Sequence, residues 1–169
     1  MHRLAPWPAL FTLTLLATAA SADQLSQAQS ATILGPTNQL LADGSSALEA
    51  GRYEEGLRLT LAGLEQPNNP HDEASAHSNV CAGYAALKRW SEALEHCNRA
   101  LELDHRNWRT FNNRAAVFVG LKMFDLAMTD VNAGLSLAPN SSTLKKCREA
   151  VKQHHDAALR DRRRKSSKA

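Results

Sequence analysis

The sequence predicts an all-α chain of antiparallel helix pairs stacked one on the next, and three observations carry that reading. First, residues 74–107 laid over 108–141 coincide at eight positions: Asn79/Asn113, Ala82/Ala116, Leu87/Leu121, Lys88/Lys122, Ala93/Ala127, Asn98/Asn132, Leu101/Leu135 and Leu103/Leu137. Roughly two or three coincidences are expected by chance at such a composition, so the 34-residue period is an internal repeat. Second, unmatched positions keep their character, aromatic at Tyr84/Phe118 and Trp90/Phe124 and small at Ala100/Gly134. Third, breakers stand where the helical periodicity stops, at Gly51-Arg52, Pro67-Asn68-Asn69-Pro70 and Pro139-Asn140. With 169 residues, 43% hydrophobic and only 5% aromatic, the chain can build one continuous interior of Ala/Leu type.

The elements follow in order. Residues 1–22 read as a secretory signal: His2 and Arg3 begin it, Ala9 to Ala20 are apolar, and Ala20-Ser21-Ala22 forms a small-residue cleavage site. The apolar stretch is shorter than the roughly 20 residues needed to span a bilayer and is interrupted by Thr12, Thr14 and Thr18, which argues for cleavage over retention as an anchor. The expected location is therefore periplasmic or extracellular. Residues 23–36 are a polar leader ending at Gly35-Pro36. The first unit, 37–70, places Leu40, Leu41, Ala47 and Leu48 on one helical face, then Tyr53, Leu57, Leu61 and Leu64 on the next. Pro70 suits a first helical position, with Asn69 as cap and Asp72 and Glu73 favourable to the helix dipole. The second unit, 74–107, has helices over about 71–87 and 91–103; the third, 108–141, has helices over 108–120 and 124–136. A capping helix over 141–160 turns Leu144, Cys147, Val151 and His154 inward, and residues 161–169 are expected to be a disordered basic tail.

Within each unit the residue types recur in one order: Cys81, Tyr84, Trp90, Ala93 and Ala100, then Ala115, Phe118, Phe124, Ala127 and Gly134. This pattern resembles the tetratricopeptide repeat, whose helix-turn-helix unit has the same length. The first unit is the most degenerate, keeping Gly44, Tyr53, Gly56, Gly63 and Leu64 but carrying Ala47 where the family prefers an aromatic. The resemblance covers residues 37 to about 160 and implies a right-handed superhelix of three units closed by the capping helix. Close helix approach needs small facing side chains, and Ala93 and Ala100 opposite Cys81, or Ala127 and Gly134 opposite Ala115, meet that need on physical grounds alone.

The resemblance further implies a concave wall made by the first helix of each unit. Its expected peptide-binding residues are Ser75, Ser78, Asn79 and Ala82 from the second unit and Arg109, Asn112, Asn113 and Ala116 from the third, with Lys146 on the cap. Asn79 and Asn113 lie one repeat apart, and an amide that donates and accepts suits the backbone of an extended peptide. The contrary reading is that both amides only cap or solvate the groove. A chaperone-tail-binding version of the family holds a terminal carboxylate between two basic residues and two Asn. Here Asn79 matches one Asn and Arg109 approximates one base. Leu41 and Ser45 replace a Lys and the other Asn, and Asn113 replaces the second base, which argues against cytosolic chaperone docking.

Cys81 and Cys97 are about equally far from the Lys88-Arg89 turn, so antiparallel pairing makes them candidates for a disulfide; two buried thiols at packing positions are the alternative. Cys147 is left over. A zinc site can be drawn from His77, Cys81, His96 and Cys97, but the chain has neither a Cys-x-x-Cys pair nor a second His four residues from His77, and the reading is no metal and no cofactor. Phosphate-loop, Gly-x-Ser-x-Gly and His-Glu-x-x-His motifs are absent from the sequence, so it offers no catalytic residues.

Charge is uneven. Residues 160–168 hold six basic residues against Asp161, whereas 23–159 hold 13 against 16 acids. The tail can touch an anionic surface weakly, while nucleic acid is not expected because no aromatic is interleaved for stacking. The sequence thus predicts a non-catalytic, exported adaptor or scaffold that binds a protein or peptide in its concave groove. The alternative is an envelope-associated assembly component attached through its convex face or basic tail, with its own leader in the groove.

Overall fold

The computed structural model describes residues 38–167. The signal-like stretch, the leader and the last two residues of the tail lie outside the described residues. Among the described residues seven helices follow one another: α1 Gln39–Glu49, α2 Tyr53–Leu64, α3 Pro70–Ala86, α4 Trp90–Leu103, α5 Trp108–Gly120, α6 Phe124–Leu137 and α7 Ser142–Ser166. The described residues contain no strand. Helices α1/α2, α3/α4 and α5/α6 are antiparallel hairpins, each packed on the next, and α7 lies on α5 and α6.

Sequence sets each helix start. Asn38 caps α1 by accepting from the amides of Leu40 and Leu41 at 3.1 and 3.4 Å, and its own amide donates to Gly63 O at 2.7 Å, tying the start of α1 to the end of α2. Asn69 caps α3, with Pro70 in the first turn; Asn107 caps α5 and Ser141 caps α7. The even-numbered helices α2, α4 and α6 lack side-chain caps and enter instead from one repeated turn. In it the amides of Arg52, Arg89 and Met123 bond the carbonyls of Ala47, Tyr84 and Phe118 at 2.9, 2.9 and 2.8 Å. This six-to-one bond requires a left-handed residue just before it, supplied by Gly51 (φ 76°), Lys88 (φ 59°) and Lys122 (φ 61°).

Small residues then set the spacing. A Cβ on Gly44 would collide with Thr60, and one on Gly63 with Leu41, so the first hairpin closes at glycine where the later ones close at alanine and cysteine. Ala93, Ala115 and Ala127 are fully buried, as are Cys81 and Cys97. These two cysteines are bridged, with Cα atoms 5.2 Å apart, joining α3 to α4. Closing a loop of that size removes enough unfolded-chain entropy to stabilise the fold by about 3 kcal/mol. Cys147 remains a free, half-buried thiol, its pKa raised by burial.

Between hairpins the large residues take over. Trp90, at the start of α4, packs so tightly on Gly120 at the end of α5 that a Cβ there would meet the ring at 2.7 Å. One period on, Phe124 stacks on His155 of α7, ring centroids 5.6 Å apart. The two aromatics therefore wedge equivalent gaps, and α7 stands where the first helix of a fourth unit would stand. Leu144 and Val151 on its inner face are buried, closing the core, whereas His154, expected inward, is exposed and His155 takes that side.

Helix α3 has 17 residues against 13 in α5, the extra length falling at its N-terminal end, in keeping with the expected span of about 71–87. One boundary differs from the sequence expectation. Helix α7 does not end near 160 but runs to Ser166, so most of the segment read as a disordered tail is helical. It contains no Gly or Pro, Arg and Lys are good helix formers, and cations in the last turn oppose the helix dipole. Asp161 also pairs with Arg164 at 3.7 Å and Lys165 at 3.4 Å along the helix.

Lys122 pays a left-handed backbone cost that glycine does not. Lys122→Gly is expected to stabilise the protein by about 0.5–1 kcal/mol, read as a higher urea midpoint, whereas Gly51→Lys should lower it by a similar amount.

Candidate functional site

The odd-numbered helices line a trough. Its main part is a cavity of about 540 Å3 walled by α3, α5 and the start of α7. Ser75, Ser78 and Asn79 of α3 and Arg109, Asn112 and Asn113 of α5 all border it, so six of the expected groove residues are brought together. Ala82 is half-buried and Ala116 exposed, and neither borders the cavity. Lys146 is exposed outside it, and α7 contributes Thr143 instead. Thr143 lies one period beyond Arg109, itself one period beyond Ser75, so carrying the repeat register into the capping helix identifies it. His71, Asn107 and Trp108 complete the wall. A smaller recess of about 130 Å3, bordered by Leu41, Ala42 and Asp72, shares Ser75 and Asn79 with the main cavity, so the trough continues to α1.

These side chains divide by what they already hold. Ser78 is buried and accepts from Thr110 Oγ1 at 3.0 Å. The amide of Asn113 donates to Ser78 O and Oγ at 3.2 and 3.3 Å, and that of Asn79 donates to Ser45 Oγ at 3.4 Å. Both amides therefore reach back one repeat and stitch neighbouring first helices. The expected parallel orientation is present, but the N–H side is engaged by the protein itself. Asn112 differs: its Oδ1 is buried without a hydrogen-bond partner among the described residues, which is costly unless something donates to it. Beside it, the exposed Arg109 guanidinium lies 4.6 Å over the Trp108 ring, which holds a cation at the trough mouth without neutralising it.

The hypothetical zinc set lies elsewhere, on the α3–α4 hairpin. Its thiols are consumed by the disulfide, and among the described residues no group of three metal-ligating side chains is placed to hold an ion. His77 and His96 meet there through their Nδ1 atoms at 2.9 Å, one donating and the other accepting while both are neutral. The pKa of His77 is lowered by burial first and then by the neighbouring His96; Glu73 and Glu95 oppose the shift without reversing it. Burial likewise lowers that of His96.

In comparisons with known proteins, no family model matches the chain. Mouse sperm-associated antigen 1 is 30% identical over 110 residues, covering 65% of this chain but only 12% of that protein, so the chain spans a small part of the relative. Among solved structures, the second TPR domain of human RPAP3, in complex with an HSP70 peptide, superposes with a TM-score of 0.60 at 20% identity, covering 67% of this chain and 92% of that one. The Sgt2 TPR domain of Aspergillus fumigatus gives 0.62 at 22% identity, covering 72% and 80%.

Proton linkage at the histidine pair has a defined sign. Both native pKa values lie below the ordinary histidine value of about 6.5, so the unfolded chain binds more protons below that pH. Stability from these groups is fully present above about pH 6.5 and is lost as pH falls from there through the lowered native values. A urea titration across pH 5–8 should show this decline, and His77→Gln plus His96→Gln should flatten it.

Hairpin order, left-handed turns, recurring aromatic wedges and the superpositions agree: the chain has the tetratricopeptide-repeat fold, three repeats closed by a capping helix.

Proposed function

We propose that this domain is a non-catalytic adaptor that holds an extended peptide segment of a partner protein in the trough of α1, α3, α5 and α7. The observation that carries the reading is the Asn112 side chain on the trough wall, whose amide takes no part in the seam, beside Arg109, which makes no ion pair among the described residues: an amide free to turn toward a peptide backbone stands next to a cation for an acidic group. Thr143 and Ser75 add hydroxyls along the same line. Support also comes from the RPAP3 domain and from the first TPR of Spaghetti, solved with HSP70 and HSP90 peptides respectively. The chemistry here departs from a double clamp on a terminal carboxylate: Leu41 borders the recess beside Asn79, and Arg109 is the only Lys or Arg bordering either part of the trough among the described residues. The partner segment is read as internal or singly acidic, held mainly through its backbone.

The test is a pull-down with the mature protein, followed by calorimetry on the recovered partner. Arg109→Ala and Asn112→Ala should each weaken binding by about 1–2 kcal/mol, and the Arg109 share should shrink with salt. A partner held equally by wild type and the double variant would remove the trough from the proposal and leave the fold standing.

The setting we infer is an exported, oxidising compartment, supported by the Ala20-Ser21-Ala22 site and by a structural disulfide of a kind rare in reducing cytosol. Thiol titration of the denatured protein isolated from its native host should find one reactive group per chain, Cys147. Finding three would place the protein in a reducing compartment.

A further inference from the structure

At the far end of the stack the regular pattern runs out. The first half of α7 covers α5 and α6, but its second half passes the α5–α6 turn, and between them lies a cleft of about 300 Å3. The Phe124–His155 stack and Ala158 border it. Met123, Leu126 and Leu159 border it too, and at 47%, 48% and 39% exposure they are among the most exposed large apolar side chains described. Such exposure clustered in one concavity marks a contact surface better than the same residues scattered singly would.

Its charge is one-sided. Lys122 and Arg162 stand on the walls against a single acid, Asp125. Arg160 and Arg163 flank Arg162 on α7, and none of the three makes an ion pair among the described residues, because Asp161 is held by Arg164 and Lys165. An apolar floor with a net-cationic rim complements an acidic segment with apolar anchors.

Stack geometry selects a helix as the occupant. Every hairpin buries its outer face against the next one, and α7 takes the place of a fourth unit's first helix, while among the described residues nothing takes the place of the second. An incoming amphipathic helix lying between Leu126 and Leu159 gives the second half of α7 the helical neighbour that it lacks among the described residues. A bilayer is the poorer fit, because it receives side chains that protrude, whereas this surface is a cleft that receives them. We propose that this cleft is a docking site, separate from the trough, for an acidic amphipathic helix of a partner protein.

The probe is a displayed library of random 16-residue peptides, selected on the full mature chain and counter-selected on a Leu126→Ser plus Leu159→Ser variant. Enriched peptides should carry excess Asp and Glu with Leu, Met or Phe at helical three- and four-residue spacing. In fluorescence anisotropy, a synthesised winner should bind at least about tenfold more weakly to Arg162→Glu and to the double Ser variant, and unchanged to Arg109→Ala, which acts in the trough. Circular dichroism melts of the variants, whose substituted side chains are exposed, check that the fold is kept. No enrichment, enrichment of basic peptides, or winners insensitive to these variants would overturn the proposal. So would sedimentation with phosphatidylserine vesicles, lost in the Ser variant, in the absence of peptide enrichment.

Discussion

Close approach of two helices at small side chains is the constraint on which the rest of this structure depends. Gly44 against Thr60, the buried Ala93 beside bridged Cys81 and Cys97, and Ala115 with Ala127 each bring a hairpin's axes together and leave the large residues no room inside it. Those residues must then pack outward, which is why Trp90 and Phe124 wedge against the following helix and why no hairpin is complete alone. A methyl inserted at Gly120 shifts Trp90 and thereby the seat of the third unit on the second. The apolar content is modest, but it is concentrated at these seams, and the disulfide fixes the middle hairpin on which the other two stack.

A polar seam runs beside the apolar one. Asn79 to Ser45, and Asn113 to Ser78 with Thr110 joining it, set the register of one first helix on its neighbour through hydrogen bonds that apolar packing cannot specify. This changes how the repeated asparagines are understood. Recurrence at a fixed period shows that a residue does the same job in each unit, but stitching units together is as periodic a job as holding a ligand. The N–H donors of these amides are engaged in the seam, whereas Asn112 Oδ1 and the Arg109 guanidinium have no duty there.

Most of the fold was legible because hairpin packing is written locally, in residue size and in breakers. The trough was legible in position but not in roles, since the direction of a side chain's hydrogen bonds depends on its neighbours one unit away. Thr143 becomes legible when the repeat register is carried into the capping helix, where it stands one period beyond Arg109. The Arg114–Asp130 pair has a different signature. Two bonds of 2.8 Å, with Arg114 also donating to Asn98, hold a buried carboxylate in the third unit, where the second unit has Val80 and His96 at the same positions. A charge replacing an apolar residue at a repeat position is the signal, and it calls for a partner because an unpaired buried charge would be strongly destabilising.

The length of α7 can be read against the same constraint. At 1.5 Å per residue its 25 residues extend about 37 Å, against about 21 Å for the 14-residue α6 it covers. A helical segment without tertiary packing is marginal in water, and the few ion pairs along its last turns contribute only some tenths of a kcal/mol each. Propensity and the dipole let the segment remain helical, but they do not account for Leu159 facing the same cleft as Leu126 and Met123. That placement follows if the helix end serves as one wall of an interface whose other wall is the α5–α6 turn, so the extension beyond the core is best explained by what it presents.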